Sequence, residues 1–242
     1  MILEKQMKLY GYDNLFNNFA KLFDEKTLPN KILLSGKDGI GKTTFVYHFL
    51  NYVFSKSEPD NYDINEFEIN KNNRSFRLIQ NNTHPNFYRI YLKQDKNSID
   101  INQVRDMKSY INKSTFDNNY KIVFIENVEL LNINSVNALL KVLEEPNDKL
   151  IFILTHNSER KIIPTLKSRC IQFKVTLDKL FIPRIINNIY GENLFENISE
   201  DLKLHYNTPS FYINLIIFCK EHDISLENLK IDYLLNFIIK NN

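Results

Sequence analysis

Gly36-Lys37-Asp38-Gly39-Ile40-Gly41-Lys42-Thr43 is a glycine-rich run that closes on a Lys-Thr pair. It fits the phosphate-binding pattern GxxxxGK[ST] without a mismatch. Lys31-Ile32-Leu33-Leu34 before it reads as a buried strand. Thr44 to Phe54 after it reads as a helix with Phe45, Val46, Phe49, Leu50, Val53 and Phe54 on one face. The glycines let the backbone close around phosphates, and amides at a helix N-terminus point at the anion. The pattern therefore assigns Gly36, Asp38, Gly39, Gly41, Lys42, Thr43 and Thr44 to nucleotide binding. Lys42 would reach the β- and γ-phosphates, and the Thr43 hydroxyl would ligate Mg²⁺. ATP with Mg²⁺ is the ligand this predicts, against the plainer reading of a Gly-rich turn with a surface lysine.

On either side of this run, strands alternate with helices. Tyr10 to Phe23 carries Leu15, Phe16, Phe19, Leu22 and Phe23 at helical spacing. Phe87 to Leu92 is a strand candidate. Asp100 with Gln103 resembles a capping box opening a helix through Ile111. Lys121 to Ile125 is a second buried strand. Asn132 caps a helix bearing Val136, Leu139, Leu140 and Leu143, stopped by Pro146. Leu150 to Leu154 and Ile171 to Val175 are further strands. This alternation predicts a parallel sheet covered on both faces. The Asn-rich segment Ser55 to Asn82 reads as a long, partly mobile surface insertion. Beyond about Thr176 only helices are expected, at Leu180 to Tyr190, Ser199 to Tyr206, Ser210 to Glu221 and Ser225 to Lys240. The fold class is thus α/β over residues 1–175, followed by a small all-helical lid domain over residues 176–242.

Composition narrows the partners. The net charge of +2 over 242 residues gives no bulk field for nucleic acid, so any DNA contact would be local or made through partners. No apolar run approaches the roughly 18–20 residues that span a bilayer, and Met1 to Lys8 lacks the core of a signal peptide. A cytoplasmic location with no membrane contact is expected. Cys170 and Cys219 are the only cysteines and form no CxxC pair, which excludes a four-cysteine zinc site. Cys170 reads as a small buried hydrophobe.

A phosphate loop needs a metal carboxylate and sensors from later strands. Glu126 follows the buried strand and is the candidate for the Mg²⁺ shell; its alternative is a strand-end glutamate facing solvent. Asn127 follows where a hydrolysing site wants a glutamate, and an amide cannot act as a general base. Weak hydrolysis is the consequence. Thr155 and His156 end the next strand, where a polar group can touch the γ-phosphate. Arg169 is either a surface arginine pairing locally or a guanidinium reaching a neighbouring subunit's nucleotide. Glu144 and Glu145 sit at a helix C-terminus, against its macrodipole, and receive no chemical role.

Three strings carry a resemblance. Asn137 to Pro146, NALLKVLEEP, is similar to a segment of bacterial clamp-loader subunits. Pro164 to Cys170, PTLKSRC, resembles another, and Thr83-His84-Pro85-Asn86 with Ile101 to Arg105 a third. From about Leu9 to Val175 the chain resembles the δ′ subunits of the bacterial DNA polymerase III clamp loader, in the P-loop AAA+ class. The resemblance implies a non-motor stator of the machine that loads the sliding clamp onto primed DNA. It implies an arginine finger at Arg169, acting in trans, and a sensor at Thr155. It implies τ/γ and δ subunits as partners, with the sliding clamp and primer-template DNA met through the complex. The activity implied is that of a DNA-directed DNA polymerase holoenzyme, a nucleotidyltransferase, to which this subunit contributes little ATPase of its own. Phe211 stands where a sensor arginine of the family falls. The family's zinc module has no cysteines here, and its third, collar domain is expected to be missing or rudimentary. Two other readings stay open: a τ/γ-like motor using Glu126 and Glu129, and a degenerate interaction module that binds no nucleotide.

Overall fold

The structure is a computed structural model that describes residues 6–113, 120–145, 149–191, 193–203, 207–227 and 229–241. The described chain divides into two compact units. One comprises Met7–Lys37 with Lys42–Thr176; the other comprises Leu177–Asn242 with the loop tip Asp38–Gly41.

The first unit is built on β1 (Lys31–Gly36), β2 (Phe87–Ile90), β3 (Lys121–Ile125), β4 (Leu150–Asn157) and β5 (Ile171–Lys174). Their order across the sheet is β2-β3-β4-β1-β5, and every neighbouring pair is parallel. The central strands β3 and β4 are buried along their whole length. That is why Ile122 to Ile125 and Leu150 to Leu154 are unbroken apolar runs rather than alternating ones. Helices α1 (Asp13–Asp24), α2 (Lys42–Ser55), α3 (Arg74–Gln80), α4 (Ile101–Ile111), α5 (Ile133–Glu144) and the short α6 (Pro164–Lys167) supply the covering layers.

One core cluster joins Leu33, Val123, Ile125, Phe152 and Leu154 of the sheet to Val104 and Met107 of α4 and to Leu139 and Leu143 of α5. Aromatic rings fill the contact of α1 with α2, where Phe16 and Phe19 both meet Phe45 edge-on. The expected caps are present. Asp100 accepts from the Asn102 amide at 2.9 Å, and Asn132 accepts from the Ser135 amide at 2.9 Å. At the other end of α4, Lys121 donates from Nζ to the carbonyls of Tyr110 and Ile111, each at 3.1 Å, neutralising orphan groups of the last turn.

The segment Ser55 to Asn82 differs from its expectation. It is no loose insertion, because it contains α3 and buries Tyr62, Ile69, Phe76 and Ile79. Tyr62 stacks on Phe16 with ring centroids 5.1 Å apart, and its hydroxyl meets His48 Nδ1 at 3.0 Å. The Glu58 carboxylate takes the amides of Arg74 (2.8 Å) and Ser75 (3.1 Å) at the start of α3, where a negative charge favours a helix N-terminus. Too few apolar residues at irregular spacing hid this order from a periodicity reading.

The second unit contains α7 (Ile182–Tyr190), α8 (Glu200–Lys203), α9 (Pro209–Glu221) and α10 (Ile231–Asn241). Ile186, Ile198, Tyr212, Ile216 and Cys219 form its core. The helix expected from Ser225 begins only at Ile231. Before it, the Leu229 carbonyl accepts the Ser199 hydroxyl at 2.5 Å rather than a helical amide. The expected helix Ser199 to Tyr206 is seen over Glu200–Lys203, and residues 204–206 lie outside the described residues, as does Pro146. Among the described residues no helix is long and apolar enough to cross a membrane.

Candidate functional site

In a parallel sheet, ligands gather beyond the carboxyl ends of the strands. The register brings the expected residues toward that edge. Leu34 of β1 lies level with Thr155 of β4, and Leu154 of β4 lies level with Ile125 of β3, so Thr155, near the end of β4, adjoins the strand that feeds the loop, and Glu126, one residue past β3, follows on the other side of β4.

The loop has the backbone its glycines allow. Gly39 (φ 72°) and Gly41 (φ 99°) occupy the left-handed region, which side chains with a Cβ disfavour. The Asp38 carboxylate accepts the Gly39 amide at 3.0 Å. Lys42 opens α2 and is 5% exposed, with Nζ donating to the carbonyls of Gly36 at 2.9 Å and Lys37 at 2.6 Å. The ammonium is thus held within the curl of its own loop, where an anion would be met by charge and helix-end amides together. Thr43 and Thr44 are half-buried in the first turn of α2.

Glu126 is partnered by a residue the sequence reading passed over. Arg89 on β2 donates from Nε to Glu126 Oε1 at 2.8 Å, and its NH2 nitrogen lies 2.8 Å from the same oxygen. The side chains are 17% and 14% exposed, so the pair is largely removed from water. The guanidinium also lies over the Tyr91 ring (4.4 Å to the centroid) and near the Tyr47 ring (5.7 Å). Burial works against the charge on Arg89, but the Glu126 hydrogen bond and charge outweigh it and hold its pKa above the ordinary value. Burial pushes the Tyr47 hydroxyl up to about 12. An arginine inside the strand Phe87-Tyr88-Arg89-Ile90 was the signal available, since a charge among apolar strand residues demands a partner.

This bears on the metal. Thr43, half-buried in the first turn of α2, is the hydroxyl that would hold Mg²⁺ with a bound nucleotide. Arg89 takes Oε1 of Glu126, so Glu126 would meet a metal through Oε2. Among the described residues no group of three His, Cys, Asp or Glu side chains is placed to hold a metal ion.

Thr155 is fully buried, and its hydroxyl oxygen accepts the Asn127 amide at 3.0 Å. Asn127 itself is in the left-handed region with φ 50°. The tie fixes the turn after β3 to the end of β4. His156 is similarly enclosed, with Nδ1 3.1 Å from the Ser35 hydroxyl and Nε2 3.0 Å from the Arg160 carbonyl. Glu129 accepts the Asn157 amide at 3.2 Å through Oε1, while its buried Oε2 has no hydrogen-bond partner.

Arg169 is not brought to this cluster. It precedes β5, and Ile171 of β5 lies level with Ile32 of β1. The phosphate loop begins four residues further along β1, about 13 Å away at the rise of a strand. Arg169 therefore sits toward the amino-terminal edge of the sheet, opposite the chain's own loop. Its Nε donates to Glu144 Oε1 at 3.1 Å, NH2 reaches the same oxygen, and NH1 donates to the Thr165 carbonyl at 2.9 Å. Cys170 beside it is buried, and burial raises its thiol pKa to about 11.

A family model described as DNA polymerase III, delta subunit, matches residues 11–179. The DNA polymerase III subunit delta′ of Buchnera aphidicola subsp. Schizaphis graminum is 29% identical over 197 residues, covering 81% of this chain and 57% of that one. The delta′ subunit of Pseudomonas aeruginosa is 29% identical over 140 residues, covering 58% of this chain and 41% of the relative. That of Escherichia coli K12 is 27% identical over 139 residues, covering 57% and 40%. The chain thus spans between 40% and 57% of the length of these relatives. Among solved structures, a DNA polymerase III gamma-subunit-related protein of Thermotoga maritima aligns with a TM-score of 0.49 at 17% identity, covering 75% of this chain and 52% of that one.

Proposed function

Because this chain belongs to the DNA polymerase III clamp-loader delta′ subunit family, we propose that it serves as a stator in the complex that places a sliding clamp on primed DNA. In this reading τ/γ-type motor subunits and a δ subunit are its neighbours, and the clamp and primer-template DNA are met through the assembly. Arg169 completes the ATP site of an adjacent motor subunit. The observation that carries the proposal is the placement of Arg169 toward the edge of the sheet opposite its own phosphate loop, on a part-exposed surface. An arginine there cannot serve the chain's own nucleotide, and a guanidinium clamps the spread charge of a transferring phosphoryl group.

The chain's own loop binds nucleotide phosphate through Lys42 and the helix-end amides, with little hydrolysis. Asn127 supplies no general base, and Arg89 takes one of the two carboxylate oxygens of Glu126 and neutralises its charge. Both features favour the stator over a motor.

Co-expression with an affinity-tagged motor subunit tests the assignment. Co-elution of this chain with the motor in fixed ratio is the expected result. Elution of the chain as a separate species, with the motor assembling normally without it, would remove the proposal.

A further inference from the structure

Arg169 does not hang free from the surface. α6 is a single turn whose Leu166 is 1% exposed and packs, with Cys170, in the same core cluster as Val142 and Leu143 of α5. That shared packing sets the distance between the end of α5 and the residue before β5. Across this distance Glu144 takes two nitrogens of the Arg169 guanidinium, and the Thr165 carbonyl takes a third.

Glu144 is an odd residue for its position on stability grounds alone. It closes α5, where the helix macrodipole repels a carboxylate. Glu145 next to it is matched by Lys108 at 3.0 Å. Glu144 is matched by Arg169, and by that choice it fixes the most mobile part of a long side chain. A guanidinium carries five N–H donors. Among the described residues Glu144 and Thr165 engage three, which leaves one N–H on each terminal nitrogen for an incoming phosphate oxygen. A side chain already held in one geometry loses less rotamer freedom on binding than one that must be captured from solvent.

We propose that Glu144 is a positioning residue for Arg169, holding the guanidinium in the orientation in which it meets the neighbouring subunit's triphosphate. The inference rests on the trans role given to Arg169. It adds a carboxylate that touches neither nucleotide nor metal and acts only through the arginine.

The test is a double-mutant cycle on the reconstituted clamp-loader complex, read as DNA-stimulated phosphate release over a range of ATP concentrations. Glu144→Ala is expected to lower turnover at saturating ATP about 10-fold, the scale of a modest misplacement of a catalytic group. The ATP concentration for half-maximal rate should stay as in the parent. Glu144→Gln, which keeps an acceptor oxygen at the same reach, should fall between the two. Glu144→Ala combined with Arg169→Ala should be no slower than Arg169→Ala alone, because a residue that acts through the arginine has nothing to lose once it is gone. Parent-level turnover in Glu144→Ala, with Arg169→Ala slow, would overturn the positioning role and leave the trans arginine standing. Additive losses in the double variant would also overturn it. Parent-level turnover in Arg169→Ala would instead remove the trans reading on which the proposal stands.

Discussion

Arg89 on β2 and Glu126, one residue past the neighbouring parallel strand β3 and 37 residues away in sequence, are joined by contacts of 2.8 Å from both Nε and NH2 to a single carboxylate oxygen. The pair sits where a nucleotide-hydrolysing site would present an open carboxylate. Removing one partner of a mostly buried pair strands the other charge. Arg89→Ala should therefore destabilise the chain by about 2–3 kcal/mol, somewhat below the cost for a fully buried pair. Arg89→Met with Glu126→Leu should cost less than Arg89→Ala, because both charges leave together. Urea unfolding of the variants checks this. A double variant less stable than Arg89→Ala would contradict it.

His84 gives a pH signature. Its ring stacks on Phe54 with centroids 4.1 Å apart, and Nδ1 accepts the Asn86 amide at 3.3 Å. Burial lowers its pKa to about 4, with Glu58 opposing and Arg74 adding smaller effects. An unfolded histidine titrates near its ordinary value of about 6.5. Between these values the unfolded chain binds the proton and the folded chain does not. The contribution is present above the unfolded pKa and is lost as pH falls from about 6.5 toward 4. The urea midpoint should fall over that window. His84→Phe, which keeps the ring stack, should flatten that part of the slope. An unchanged slope in the variant would assign the effect elsewhere.

Lys42 is bonded to the Gly36 and Lys37 carbonyls at the mouth of the loop. Titration of a fluorescent ATP analogue into the isolated chain should show binding that weakens at least 10-fold in Lys42→Ala. That fold-change corresponds to about 1.4 kcal/mol, close to the lower end for one charge-assisted hydrogen bond. Equal affinity in parent and variant would remove the lysine from the site.

Much of this was legible in the sequence because it is local. The run Lys31 to Thr43 fixed strand, loop and helix together, and Lys121 to Ile125 was read with its true bounds because a strand buried on both faces needs an unbroken apolar run. What stayed hidden depends on contacts between distant residues. Nothing near Arg89 names Glu126, and nothing near Glu144 names Arg169, 25 residues on. The packed order of Tyr62, Ile69, Phe76 and Ile79 was masked by the polar residues between them. In α2 the periodicity marks one apolar face, yet Tyr47, His48, Asn51 and Tyr52 are buried as well, because the helix is enclosed on more sides than periodicity reports. The delayed start of α10 at Ile231 likewise depends on Ser199, 30 residues from the Leu229 carbonyl it bonds.

Phosphate release by the assembled complex carrying Arg169→Ala reads out whether one guanidinium acts beyond its own subunit. An arginine finger is worth roughly 10³–10⁵ in rate at the site it completes. Hydrolysis at that neighbouring site should collapse on this scale, with the variant chain folded and incorporated as the parent is. A variant complex that assembles normally and turns over ATP at the parent rate would contradict it.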